Sequence, residues 1–168
     1  MIVSLTHTIG PTMGSKVATP GLGFLYAQTM GGYLGKVEPN LRVPSHISPI
    51  IVFKNDKPFL ALGAAGGSRI PSSIVNVISN VIDKKMSLDD ALYAPRVHPL
   101  EQGINLEFVD GIRWNKNDST YFSHLGYAVE MKRLPGKFGR IHAVILDTLT
   151  EEWIGCADPD WEGTAAFP

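Results

Sequence analysis

The stretch from Phe59 to Asp83, FLALGAAGGSRIPSSIVNVISNVID, constrains the fold most. An apolar run of strand length enters Gly63-Ala64-Ala65-Gly66-Gly67, passes Ser68-Arg69-Ile70-Pro71 and continues as a helix-periodic segment. Ile74, Val75, Val77, Ile78, Val81 and Ile82 recur at helical spacing, which predicts a helix over Ser72–Lys84. They cover so much of the circumference that the helix should be largely buried. Pro71 suits its first turn. An adjacent glycine pair between strand and helix permits a tight turn, and that reading suffices on local sequence alone. It also lets a ligand approach main-chain N–H groups beside a helix N-terminus, as an oxyanion hole requires. The lysine and spacing of a P-loop are absent, and so is the GxGxxG pattern.

Around this unit the chain reads as strands, then helices, then strands. Residues 2–8 read as a strand, and Gly23–Ala27 is a short apolar run. Residues 29–48 are rich in Gly, Pro and polar groups and read as a long irregular connection. Ile50–Phe53 and Phe59–Leu62 flank Asn55-Asp56-Lys57, which suits a hairpin turn. Ser87 opens a second helix with Asp90 placed as a capping acid, and Pro95 ends it. Further strands are expected at Ile104–Val109, Tyr127–Lys132, Ile141–Asp147 and Glu152–Ala157, with a short helix at Asn117–Leu125. No linker or internal repeat divides residues 1–168, which read as one α+β domain of layered sheets and helices.

A net charge of −1 gives no general attraction to nucleic acid or anionic membrane, and neither is expected as a partner. No apolar run approaches the ~20 residues of a membrane span, and no signal-peptide pattern follows Met1. The compartment stays unassigned. Cys156 is the sole cysteine, which rules out an internal disulfide and a multi-cysteine zinc site. It lies in an apolar run and reads as a buried thiol. Asp158-Pro159-Asp160 reads as a turn rather than a metal site. Arg96 and His98 read as a helix-exit turn, and His7, His124 and His142 as structural or exposed. His46 is the histidine whose position suggests a site. Neither a metal nor another cofactor is expected.

Several segments together resemble the γ-glutamyltranspeptidase family of N-terminal nucleophile hydrolases, in the family's order. Ser45-His46-Ile47-Ser48-Pro49 is similar to its Ser-Ser-Met-Ser-Pro, and Gly63–Ile70 to its glycine-pair motif. Asn80-Val81-Ile82-Asp83, Ala94-Pro95-Arg96-Val97-His98 and the Ala157–Ala166 ending also match family motifs. The resemblance implies an αββα sandwich, here incomplete, without the strand bearing the nucleophile and without the large subunit. It implies a processed precursor whose small subunit begins with a threonine. That hydroxyl attacks a γ-glutamyl or related acyl amide, and the acyl group then passes to water or an amino acceptor. Carried over, Gly66 and Gly67 are the oxyanion hole, Thr8 supports the nucleophile, and Ser45, His46 and Thr29 bind substrate.

The chain also departs from the family pattern. The nucleophilic threonine lies upstream of the position of Met1, so the isolated chain is expected to be inactive. Gly10 stands where the family has an asparagine, His46 where it has a serine, and Thr29 where it has an amide or acid. Gly32 replaces the aspartate that binds the substrate α-amino group. Loss of such a charge-assisted contact costs ~1.5–3 kcal/mol, which favours an acyl amide without that amine, as in the acylase branch. A non-catalytic remnant that kept the scaffold as a binding or structural module is the rival account. The expected partner is a large-subunit-like chain or a second copy, since a family scaffold without its partner exposes apolar faces.

Overall fold

The computed structural model describes residues 1–10, 12–28, 38–42, 44–109, 111–133 and 137–166. The chain falls into two compact units, one formed by Met1–Leu5 with His46–Pro168 and the other by Thr6–Ser45.

The larger unit begins with the expected hairpin. Strands β1 (Ile50–Lys54) and β2 (Lys57–Ala65) pair antiparallel. Asn55 and Asp56 both adopt positive φ (52° and 61°), as the two central residues of a type I′ turn must. After the glycine turn, α1 (Ile70–Ile82) crosses the sheet, and α2 (Leu88–Tyr93) follows. The Ser87 side chain caps α2 by accepting the Asp90 N–H at 3.1 Å. Asp90 does not reach back to the Ser87 backbone; its carboxylate accepts the Ser87 hydroxyl at 2.7 Å. Ala94 leaves the helix in an extended conformation, as a residue before proline tends to.

Strands β3 (Val97–Leu100), β4 (Gly103–Val109) and β5 (Ile112–Arg113) then form an antiparallel run. Helix α3 (Lys116–His124) carries the chain to β6 (Val129–Arg133), which joins β4 in parallel. Parallel neighbours need such a crossover. An Asn115–Asp118 capping box starts α3. Strands β7 (Arg140–Leu146) and β8 (Trp153–Ala157) complete the first sheet, whose order is β1-β2-β7-β8.

The core lies between this sheet and the two helices. Leu60, Leu62 and Ala64 alternate along β2, and Ile141 and Ala143 do so along β7. They meet Ile70, Ile74, Val77 and Val81 of α1, and Leu88, Ala91 and Leu92 of α2. Asn76 ties α1 to the second sheet: its amide accepts the Val97 N–H at 3.1 Å and donates to the Val97 carbonyl at 3.0 Å. A side chain there stands in for a strand neighbour on β3.

The structure corrects several expectations. Among the described residues, residues 2–8 pair with no strand; Ser4 instead donates its hydroxyl to the Leu62 carbonyl at 2.9 Å. Helix α1 is largely buried, as its spacing predicts, though not at every apolar position. Val75 is 63 % exposed, since the sheet and α2 cover only part of its circumference. Cys156 is half-buried rather than buried, and burial still raises its thiol pKa above the ordinary value. Among the described residues, no helix is long and apolar enough to cross a membrane.

The described residues of the smaller unit loop back on themselves with little regular structure. Tyr26 donates its N–H to the Val17 carbonyl at 3.0 Å and Gln28 to that of Ile9 at 2.8 Å. The Thr19 and Tyr26 hydroxyls meet at 2.7 Å.

Candidate active site

The glycine turn sits where β2 ends. Gly66 has φ 145° and ψ 14°, and Gly67 has φ 61° and opens a 3-10 turn, Gly67–Arg69, that runs into α1. Both conformations are ones that L side chains avoid. The two glycines have different surroundings. A Cβ on Gly66 would lie 2.6 Å from the Gly139 Cα, so Gly66 is glycine because another backbone touches it. A Cβ on Gly67 would meet nothing within 4 Å, so the space beside Gly67 is open. Among the described residues, neither N–H meets an acceptor of the chain. Unspent donors at the head of a helix are of the kind that can stabilise negative charge.

Arg69 ends the 3-10 turn and stacks over the Phe138 ring at 5.4 Å. His98 lies on β3, not in a turn, and its Nδ1 meets the Ser72 hydroxyl at 2.8 Å. Burial, and then the Arg69 guanidinium, hold the His98 pKa below its ordinary value. The imidazole beside the turn therefore favours its neutral form.

Beneath the turn lies a charged cluster that sequence reasoning missed. Arg96 and Asp158 are both 0 % exposed and pair through two contacts, Nη1–Oδ2 at 2.9 Å and Nη2–Oδ1 at 2.5 Å. Asp158 also accepts the Ile141 N–H. Glu107, equally buried, accepts the Arg96 N–H at 2.9 Å, and Lys137 approaches it at 3.3 Å. The Lys137 ammonium also donates to the carbonyls of Tyr93 (3.0 Å) and Ala94 (2.8 Å). Burial pushes the Glu107 pKa up and the Lys137 pKa down, each opposed by the charge of the other. Asp158 opens the expected turn, its carbonyl accepting the Trp161 N–H at 3.2 Å, while its side chain and that of Arg96 take a role the sequence reading did not assign. The one available signal was their membership in two of the resembled motifs.

The remaining expected site residues are placed as follows. Thr8 belongs to the smaller unit, is exposed, and accepts the Gly10 N–H on its hydroxyl at 3.1 Å. Ser45 is the exposed last residue of that unit. His46 begins the second segment of the larger unit and is half-buried; its carbonyl accepts the Ser48 hydroxyl at 3.0 Å. Thr29 and Gly32 lie outside the described residues.

Comparisons with known proteins identify the family of the chain. A family model described as Gamma-glutamyltranspeptidase matches residues 1–167. A glutathione hydrolase proenzyme of Bacillus subtilis is 28% identical over 170 residues, covering 98% of this chain and 28% of that protein. An acylase proenzyme of a Pseudomonas species is 36% identical over 102 residues, covering 57% of this chain and 18% of that protein. The chain therefore spans only a minor part of the length of these curated relatives. A crystal structure of a Helicobacter pylori gamma-glutamyltranspeptidase variant superposes with a TM-score of 0.76 at 31% identity. That match covers 95% of this chain and 93% of the solved one. With its mixed helices and sheets, the chain belongs to the gamma-glutamyltranspeptidase family and is part of that family's N-terminal nucleophile hydrolase fold.

Proposed function

We propose that this chain is the small-subunit-like part of an amide hydrolase or acyltransferase whose nucleophilic threonine lies outside residues 1–168. In this reading residues 1–168 act as one domain. The observation that carries it is the glycine turn: two N–H groups without acceptors among the described residues, with open space beside Gly67.

The threonine hydroxyl attacks the amide carbonyl and its proton passes to the threonine's own amine. The carbonyl oxygen becomes an oxyanion held by the Gly66 and Gly67 N–H groups. Collapse expels the leaving amine, which takes the proton, and leaves an acyl ester. Water or an amino acceptor then attacks that ester through a second oxyanion at the same donors. Thr8 supports the nucleophile, and Ser45, His46 and Thr29 line the substrate site. The substrate is a γ-glutamyl or related acyl amide. Gly32, which has no carboxylate for an α-ammonium, supports the acyl amide, as does the likeness to an acylase.

The partner in this reading is a large-subunit-like chain or a second copy. The curated relatives are named as proenzymes, and Phe53, Val75 and Ile154 expose apolar side chains that a partner would cover.

The purified 168-residue chain is expected not to hydrolyse γ-glutamyl or acyl anilides. Supplying the threonine-bearing segment and a large subunit should restore turnover. Gly67→Val then places a side chain in the open space, and turnover should fall by ~10²–10³, the usual effect of losing an oxyanion donor. Unchanged turnover in a folded, reconstituted Gly67→Val variant would overturn the oxyanion role and return the pair to a plain turn, whereas no turnover on reconstitution would favour a scaffold without catalysis.

A further inference from the structure

Residues 137–139, just before β7, run under the glycine turn as a strap with no ladder partner of their own. Besides the 2.6 Å approach at Gly66, a Cβ on Gly139 would lie 2.7 Å from the Ser73 hydroxyl oxygen. The turn, the strap and the first turn of α1 are therefore stacked with no side chain between the turn and the strap. A shift of Gly139 toward Gly66 cannot be absorbed by a rotamer change and must move the turn.

The strap is held by side chains of the charged cluster. Lys137 donates its N–H to Asp160 at 2.6 Å, and Phe138 donates its own to Glu107. The Phe138 carbonyl accepts from Arg96 Nη1 at 3.0 Å and from the Ser73 hydroxyl, and the Gly139 carbonyl accepts from Arg96 Nη1. Arg96 is fixed at both ends. Glu107 holds its N–H, the Trp114 indole donates to its carbonyl at 2.9 Å, and Asp158 grips the guanidinium fork.

We propose that Arg96 and Asp158, with Glu107 and Ser73, are positioning residues that set the direction of the Gly66 and Gly67 N–H groups through the strap. Stability alone is a poor account of the cluster, because apolar side chains of similar volume often fill such a site at no loss. Apolar side chains could not fix the strap carbonyls in one orientation. The inference rests on the proposed oxyanion role only for its catalytic meaning; the geometric claim stands by itself.

The test follows the amide resonances of the ¹⁵N-labelled full chain. Asp158→Asn keeps the shape of the side chain and removes its charge. It should move the Gly66, Gly67 and Gly139 amide resonances and speed their hydrogen exchange, leaving those of Leu60 and Leu62 in place. Ser73→Ala, which loosens a single contact to the Phe138 carbonyl, should move the same resonances by less. If Asp158→Asn does not fold, Ser73→Ala decides. Unmoved Gly66 and Gly67 resonances in either folded variant overturn the proposal. In the reconstituted enzyme, Arg96→Lys should lower kcat by up to about 10²-fold with KM little changed, as misplacement of a catalytic group does. Moved resonances together with an unaffected Gly67→Val enzyme would retain the positioning role and sink the oxyanion reading instead.

Discussion

The apolar layer beneath α1 and the charged layer around Arg96 are both shut off from solvent, yet they hold the backbone by different means. Ile74 and Val77 touch Leu60, Leu62 and Ile141 through non-directional contacts. Small changes of shape there are shared among many neighbours, each worth little. Arg96 and Asp158 hold particular carbonyls and N–H groups in particular directions, and removing one partner leaves a charge without water. One layer gives graded adhesion, and the other fixes orientation. The glycine turn lies between them: β2 leads into it from the apolar layer, and the strap presses on it from the charged one.

That contrast is best broken at Asp158. Asp158→Ala should cost about 3–5 kcal/mol, the effect of stranding a buried charge, read as a fall in the urea midpoint. Replacing both partners, Arg96→Met with Asp158→Leu, should recover most of the loss while the Gly67 amide resonance stays displaced. A double variant as unstable as the single one would show that packing, not charge, dominates the layer. In the apolar layer, Ile74→Val should cost about 0.5–1.5 kcal/mol and leave the Gly67 resonance where it was. A cost above that range, or a displaced resonance, would erase the distinction between the layers.

Two further effects are smaller. Ser87→Ala should cost about 1 kcal/mol through loss of the α2 cap, with no change at the turn. His98 has the weakest expected signature. Its folded-state pKa lies below the ordinary 6.5, so as pH falls through that range the unfolded chain takes up the proton first. Its contribution to stability is thus complete above 6.5 and is lost downward from there. Denaturation of wild type and His98→Asn between about pH 7.5 and about pH 5.5 should show the wild type losing more. Parallel curves would assign the slope to other groups.

Local chemistry made much of the larger unit legible. Asn55-Asp56 specifies its hairpin by tolerating positive φ, Ser87 its cap, and the Ile74–Val81 spacing its central helix. The glycine pair was readable because φ and contact both forbid a side chain at Gly66. Distant partners hid the rest. Arg96 and Asp158 meet across 62 positions, and nothing near either says that the other is there, so both read as turn residues. Strand β3 is short, holds Pro99, and owes part of its edge to Asn76, a helix residue. Residues 2–8 carry strand-like alternation but pair with no strand among the described residues, and alternation alone makes no ladder.

The separation between Arg96 and Asp158 also bears on how the chain is made. A ribosome adding roughly 5–20 residues per second releases the arginine some seconds before its carboxylate partner exists. The hairpin and α1 rely on nearby contacts and can form during that interval. The Phe138 and Gly139 carbonyls cannot be fixed by the complete pair until residue 158 has been made. The order of synthesis thus puts local scaffold first and alignment last, so a nascent chain would carry its hairpin and α1 before its glycine turn is set.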